Sequence, residues 1–270
     1  MSASLSVSIV SYAPDLAVLR ETLRTLGVAL AQGRSSGSLR EAKVVLVDNG
    51  PGAQLAPALR ALEPSLSYEV ISGHGNVGYG RGNNLSLLSS DAEFHLVMNP
   101  DVSLAPDALH EALRFMAANP QVIILAPEAR DAAGERLYLC KRYPSVLALV
   151  VRGFAPRFIK NFFEEKLASY EMRDLPRDRP STGIPLLSGS FMFCRRAPVA
   201  AIGGFAEDFF LYFEDFDLSM RAAARGELAW VPAARITHHG GYAAKKGWRH
   251  LLLFASSAFK FFNRHGWKWA

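Results

Sequence analysis

Apolar and polar residues alternate along the first half of the chain in two distinct rhythms. Val7–Ser11, Lys43–Val47, Tyr68–Ser72 and Phe94–Met98 are short runs rich in β-branched and aliphatic residues, the pattern of buried strands. Between and after them lie Asp15–Leu30, Arg81–Ser90 and Pro106–Asn119, whose apolar positions recur at helical spacing. A further strand is predicted at Val122–Ala126. This βαβα order predicts an α/β fold with a mostly parallel central sheet and helices on both faces. The stretch Ala31–Ser38 is Gly/Ser-rich and reads as a loop. From about 131 to 185, five prolines and mixed charge interrupt any period, so this part reads as a variable excursion with some helix, not as a separate domain. Ile184–Cys194 and Leu228–Val231 read as strands, and Trp248–Phe262 as an amphipathic helix.

The chain has 270 residues, enough for one large or two small domains at roughly 100–200 residues each. Its two cysteines, Cys140 and Cys194, form no disulfide framework, which suits a reducing cytoplasm. No cleavable leader is expected, and no uncharged apolar run approaches the roughly 20 residues of a membrane-spanning helix. The net charge is +5, and it is unevenly placed: residues 228–270 hold seven Lys or Arg and no acid. A polyanionic surface is the natural partner of such a tail. The tail carries no recognised nucleic-acid motif, so an anionic membrane leaflet is the expected partner and nucleic acid is not. Trp248, Leu251, Leu252, Ala255, Ala258, Phe259 and Phe262 share one helical stripe, flanked by basic residues and ending in Trp267 and Trp269. That suits the membrane interface, or else packing against the core.

Ligands bind beyond the carboxyl ends of strands in a parallel sheet. Ser11-Tyr12, Asp48-Asn49 and Asn99-Pro100-Asp101 stand at three such ends, where turns and helix caps also favour these residue types. The segment 73–84 places five glycines within its first ten residues, before a helix, with Arg81 alongside. It fits close approach to a phosphate, or a purely structural loop. It is neither a P-loop nor the dinucleotide fingerprint. The most informative stretch is 209–221, where Glu214, Asp215 and Asp217 sit among aromatic side chains. Carboxylates in such surroundings are costly unless paired, and burial tunes them toward general-base work. Asp217 and Arg221, at i and i+4, are spaced to pair, and the acids also suit a helix start. Adjacent histidines at a strand end point opposite ways, so one of His238 and His239 faces any given site.

Taken in order, VSIVSY at 7–12, VVLVDNG at 44–50, GNVGYGRGNN at 75–84, MNPDV at 98–102, SGSFMFCRR at 188–196, IGGFAEDFFLYFEDFDLSMR at 202–221 and HHGG at 238–241 resemble the family 2 glycosyltransferases, particularly the bacterial rhamnosyltransferase-like branch. The resemblance implies a GT-A fold in one domain over about 1–242, with a nucleotide-sugar half (about 1–130) and an acceptor half (about 131–242), followed by a basic amphipathic helix in 243–270. It implies Ser11 and Tyr12 near the nucleotide, Asp48 on its base or ribose, and Asn76, Gly78, Arg81 and Asn83 framing the nucleotide-sugar. Asp101 stands at the last position of the family's DxD element and is implied to bind Mg²⁺ or Mn²⁺ with the diphosphate, with His238 or His239 completing the metal site. Asp215 matches the family's catalytic base, while Glu214 and Asp217 position the acceptor or hold the helix start. Two departures stand out. The DxD element is Asn99-Pro100-Asp101, with a single carboxylate, and Tyr242-Ala243-Ala244 replaces the serine often found after His-Gly-Gly. The implied reaction is inverting transfer of a sugar, rhamnose from dTDP-rhamnose, to a lipid-linked glycan at the cytoplasmic face of the membrane. The alternatives are a UDP-hexose or other nucleotide-sugar donor and, more remotely, a non-catalytic nucleotide-sugar-binding module, against which the set Asp101, Asp215 and His238/His239 argues.

Overall fold

The computed structural model describes residues 2–50, 56–240 and 247–270. In chain order the elements are β1 (Ala3–Ser11), α1 (Leu16–Ser35), β2 (Leu39–Asp48), α2 (Ala56–Arg60), β3 (Glu69–Ile71), α3 (Tyr79–Leu87), β4 (Phe94–Met98), β5 (Val102–Leu104), α4 (Ala108–Ala118) and β6 (Val122–Asp131). There follow β7 (Arg136–Leu137), β8 (Cys140–Lys141), α5 (Val146–Phe154), α6 (Arg157–Phe162), α7 (Glu164–Tyr170), β9 (Ser181–Thr182), β10 (Leu186–Leu187), β11 (Phe191–Arg195), α8 (Arg196–Ala201), α9 (Glu214–Ala223), β12 (Glu227–His238) and α10 (Trp248–His265).

The main sheet has the order β3-β2-β1-β4-β11-β6-β12-β5, with β7 and β9 added on β6 and β12. Its longest ladders, β1 with β2 and β6 with β12, are parallel. β11 runs antiparallel between β4 and β6. Alternation along β1 sorts the helices onto the two faces. Leu5, Val7 and Ile9 join Leu19, Leu23 and Leu26 of α1 in the main core. Ser8 and Val10 point the other way, where Ser8 bonds Asn83 and Val10 lies against Gly82 of α3. α1 begins where Asp15 accepts from the backbone N–H groups of Ala17 and Val18, a side-chain N-cap.

Three predicted elements differ in extent. α1 runs through the Gly/Ser-rich stretch to Ser35, because Gly33 is buried against Leu39 at the start of β2 and so prolongs the packed face. The predicted strand Ile184–Cys194 is broken into β10 and β11, since the backbone of residues 188–190 turns aside to bond outside the sheet. Tyr79–Asn84 of the Gly-rich segment are already helical. Pro51, Gly52, Gly241 and Tyr242, with Ala243, Ala244, Lys245 and Lys246, lie outside the described residues, as does the expected boundary near 242. Cys140 and Cys194 are buried free thiols. Among the described residues no helix is long and apolar enough to cross a membrane.

A second core cluster joins α10 to the body. Phe261 and Phe262 are buried with Phe209, Phe213, Ala148, Leu149 and Tyr170, and burying each aromatic ring contributes about 1.5–3 kcal/mol. Beside it sits Asp217, whose side chain has no exposed surface. One carboxylate oxygen accepts from Arg221 Nε at 2.7 Å, and the other from Arg264 Nη1 and His265 Nε2, both at 2.9 Å. Burial pushes against ionisation of this carboxyl, yet the bonds from His265, Arg264 and Arg221 hold it below the usual aspartate value. Its charge therefore ties α9 to α10. Removing one partner of such a buried pair strands the others, so Asp217→Ala is expected to lower unfolding free energy by about 3–5 kcal/mol at neutral pH. In the wild type this contribution is full above the ordinary aspartate value of about 3.9 and is lost as pH falls through the lower folded value. Urea unfolding of both proteins at neutral and acid pH checks the size and the sign.

Candidate active site

The parallel strands β1, β2 and β4 end on one edge of the sheet, with Ser11 paired in register with Asp48. Ser11 is buried and Tyr12 is exposed just beyond it. Asp48 is buried: one of its oxygens accepts from Gly50 N at 2.9 Å, and the other has no hydrogen-bond partner among the described residues. A buried acceptor left open at a strand end suits a donor group on a ligand. Asn49 Nδ2 donates to Gly78 O at 2.9 Å, and Asn49 Oδ1 meets His74 Nε2 at 3.0 Å. His74 Nδ1 is buried with no partner among the described residues. Sequence reasoning did not single out His74, and its place in the Gly-rich segment was the only signal.

The Gly-rich segment is shaped by close approach. Asn76 Oδ1 accepts from Gly78 N at 3.1 Å. Gly78 has φ of 88°, and a side chain there would meet Phe210 O at 2.4 Å, so only glycine fits. Tyr79 N donates to the same Phe210 oxygen, which fastens this segment to the chain leading into α9. Arg81 pairs with Glu207 at 2.7 Å on the surface. Asn83 has no exposed surface. Its Oδ1 accepts from Ser8 Oγ at 2.6 Å and its Nδ2 donates to Tyr79 O at 3.0 Å, so it frames the segment from beneath.

At the next strand end, Asp101 Oδ1 lies 3.1 Å from His238 Nε2, and Asn99 Nδ2 lies 3.4 Å from the same nitrogen. β12 delivers His238 here because it pairs in register with Val102. His239 points away and meets Ser103 Oγ at 2.8 Å, so the two histidines are separated by strand alternation. A methyl on Gly240 would fall 2.0 Å from Asp101 Oδ2. Among the described residues no group of three or more His, Cys, Asp or Glu could hold a metal ion. One carboxylate and one imidazole nonetheless fit a divalent cation that takes its remaining ligands from a diphosphate and water.

The acidic segment opens α9. Asp215 is half-buried; one oxygen accepts from Gly189 N at 2.7 Å and the other from Phe216 N at 2.8 Å. Burial raises its pKa above the usual aspartate value, while these backbone bonds and the ammonium of buried Lys141 act the other way. Glu214 is buried beside it with one oxygen unpartnered among the described residues. Burial, then the neighbouring charge of Asp215, pushes Glu214 well above the ordinary glutamate value. The turn into α9 is strained: Tyr212 and Phe213 are left-handed, at φ of 71° and 65°. Each costs about 1–3 kcal/mol. The conformation is held by the Phe213 ring against Phe254 and Phe261 and by Tyr212 OH on His250.

One turn joins the two halves. Gly189 N bonds Asp215, and Ser190 O accepts from Asn99 N at 3.0 Å. Tyr79 OH donates to Gly189 O at 2.7 Å from the Gly-rich side. Ser190 Oγ is buried and without a partner among the described residues. Asp217 is committed to α10, while Asp101, His238, Asp215, Glu214, Gly78 and Asp48 gather along the same sheet edge or the loops fastened to it. Lys141, Tyr79 and Ser190 were missed as site residues. Lys141 is far from any motif in the sequence, and its burial, which pushes it down to about 7, could not be read from its neighbours.

Comparison with known proteins agrees with this arrangement. Over residues 6–203 the chain matches the glycosyl transferase family 2 profile. It is 28% identical over 249 residues, covering 84% of this chain and 77% of the relative, to the N-acetylglucosaminyl-diphospho-decaprenol L-rhamnosyltransferase of Mycobacterium tuberculosis. It is 25% identical over 180 residues, covering 63% of this chain and 64% of the relative, to the rhamnosyltransferase WbbL of Escherichia coli K12. Among solved structures, the mannosyltransferase PcManGT of Pyrobaculum calidifontis, in complex with GDP-Man and Mn²⁺, superposes with a TM-score of 0.62 at 18% identity over 96% of this chain and 65% of its own. S. aureus TarS 1–349 does so with a TM-score of 0.58 at 18% identity over 98% of this chain and 72% of its own. At such identities these two likenesses speak for the fold alone, which is GT-A. The chain belongs to glycosyl transferase family 2, is similar to its rhamnosyltransferase members, and is a glycosyltransferase that uses a nucleotide-sugar.

Proposed function

We propose that this protein transfers rhamnose, with inversion, from dTDP-rhamnose to a hydroxyl of a lipid-linked glycan in surface-polysaccharide synthesis. The observation that carries this reading is the 188–190 turn, which bonds Asp215 on one side and Asn99 on the other. A base and a diphosphate-binding edge are thereby held together. Asp215, its carboxylate aimed by two backbone N–H groups, takes the proton of the acceptor hydroxyl as the oxygen attacks the anomeric carbon. The bond to the nucleoside diphosphate breaks in the same displacement, so no second carboxylate is needed as nucleophile. Mg²⁺ or Mn²⁺, held by Asp101 and His238, would neutralise charge on the leaving diphosphate. Ser11, Tyr12 and Asp48 take the nucleoside, and Asn76 and Gly78, supported by Asn83 and Arg81, shape the floor under the sugar and diphosphate. Glu214, buried beside Asp215 at the start of α9, positions the acceptor. Asp217 acts through its hold on α9.

The relatives support the sugar and the acceptor: one is an L-rhamnosyltransferase named for a decaprenol-linked substrate. In this reading residues 1–242 form the transferase domain, with donor and acceptor halves meeting near 130, and 243–270 form a C-terminal helix that brings the enzyme to the anionic cytoplasmic face of a membrane.

Nucleoside diphosphate release should be followed with dTDP-rhamnose, UDP-hexoses and GDP-mannose, in Mg²⁺ or Mn²⁺, with and without a polyprenyl-diphosphate-linked acceptor. Acceptor-dependent release is expected with dTDP-rhamnose, and release only with a UDP-hexose would overturn the donor assignment. Asp215→Asn is expected to lower kcat by about 10²–10⁴-fold with little change in nucleotide affinity, and near-normal turnover would remove Asp215 as base. Because burial raises Asp215, the acid limb of kcat/KM should fall above the ordinary aspartate range, with activity lost as pH drops through it. A pH profile with no such limb speaks against a carboxylate base. Asp101→Ala is expected to weaken metal-dependent nucleotide binding, read by calorimetry with and without Mn²⁺, while leaving metal-free nucleotide binding unchanged.

A further inference from the structure

α10 is apolar on two sides. Its inner side, with Phe254, Ser257, Ala258, Phe261 and Phe262, packs into the second core cluster or bonds the body. Its outer side, Trp248, Leu251, Leu252 and Phe259, repeats at i, i+3, i+4 and i+11 and is exposed. A helix needs one apolar stripe to fold onto a protein. Apart from Phe259, whose ring meets Trp267, the second stripe is left exposed.

A second bare element lies in the excursion that the sequence left as irregular. Phe158 and Phe162, at i and i+4 on the short helix α6, are 73% and 85% exposed. Val150 of the neighbouring α5 is also exposed. The two surfaces adjoin. Val146 N at the start of α5 donates to Lys268 O, and Leu147 N to Trp269 O. Trp267 stacks on Trp269 at 5.0 Å and contacts Phe259 of α10 at 5.7 Å. The terminal tryptophans thus link α10 to the start of α5, which leads on in the chain to α6.

Basic side chains border them: Arg249 lies over the Trp248 ring, Lys268 stands between Trp267 and Trp269 in the chain, and Lys160 is on α6, while Arg264 of α10 pairs with Asp208 and Asp217 and Arg152 of α5 with Glu171. The nearest acids beyond α6 are Glu164, which pairs with Arg173, and Glu165. Exposed aromatic and aliphatic side chains ringed by bases are what an anionic bilayer surface takes up: rings enter the headgroup and acyl boundary and cations meet the phosphates.

We propose that α6, the outer stripe of α10 and the terminal tryptophans form one docking face for an anionic phospholipid bilayer, with Phe158 and Phe162 as the inserting pair. The proposal deepens the lipid-linked-acceptor reading and rests on it. α5 and α7, between this face and the second core cluster, carry Ala148, Leu149 and Tyr170 toward the strained turn before Asp215. A docked enzyme therefore presents its acceptor half to the membrane.

The full chain should float with phosphatidylcholine–phosphatidylglycerol vesicles at low salt, less so at high salt, and poorly with phosphatidylcholine alone. The double variant Phe158→Ser/Phe162→Ser should bind vesicles at least about tenfold more weakly, with unchanged thermal midpoint and unchanged transfer to a water-soluble acceptor. Phe158→Trp should show a blue-shifted emission increment on anionic vesicles, which reads insertion without removing the apolar side chain. Wild-type protein that stays unbound at low salt, or a double variant that floats like wild type, overturns the proposal. So does a wild-type dimer in sedimentation that the double variant abolishes, since the face would then meet a second copy. Vesicle binding with no turnover on any nucleotide-sugar would instead leave docking in place and remove the transfer reading.

Discussion

β11 runs against both of its neighbours, and the site depends on that reversal. Every long strand of the sheet presents its carboxyl end to the same edge, where Asp48, Asn99 and His238 emerge. A parallel strand between β4 and β6 would bring a carboxyl end there too. An antiparallel one brings its beginning, the turn 188–190, with N–H and C=O groups not yet committed to the ladder. Gly189 spends its N–H on Asp215 and Ser190 its C=O on Asn99, so backbone atoms of one turn fix the spacing between two chemistries. Main-chain bonds of this kind move little, which suits a reaction whose transition state tolerates little positional error.

Much of this was visible in the chain. The apolar runs located β1, β2, β4 and β6; the polar residues buried within them, Ser6, Ser8 and His95, bond one another or Asn83. Helical spacing placed α1 from Asp15, which proves to be its N-cap, and the i, i+4 spacing marked the Asp217–Arg221 pair. What escaped was nonlocal. Gly33 continues α1 because Leu39 covers it, and no residue beside Gly33 says so. The strand predicted through Ile184–Cys194 breaks because an acid some 26 residues later claims an N–H group in its middle. Alternation told that His238 and His239 diverge, but which one faces Asp101 follows from the register of β12 on β5. The tail stripe was read as one surface, and the structure divides it between a face buried on the body and a face left bare.

Strain and burial concentrate around the acidic segment. Two left-handed aromatic residues precede it, and a buried glutamate and a half-buried aspartate, both raised by burial, open it. The two left-handed residues are held by the second core cluster, while Asp215 is held by Gly189 in the turn that leads into β11, so the segment is clamped from two sides.

Asp217 carries a consequence for the order in which the molecule is made. Two of its three counter-groups, Arg264 and His265, lie 47 and 48 positions later in the chain. While the chain is being synthesised, the sheet strands emerge first and can pair, yet the buried carboxylate on α9 lacks most of its compensation until those residues leave the ribosome. Until then α9 has good reason to stay open to solvent. α9 thus gains most of its compensation only once α10 is in place, and α10 acts as its lock.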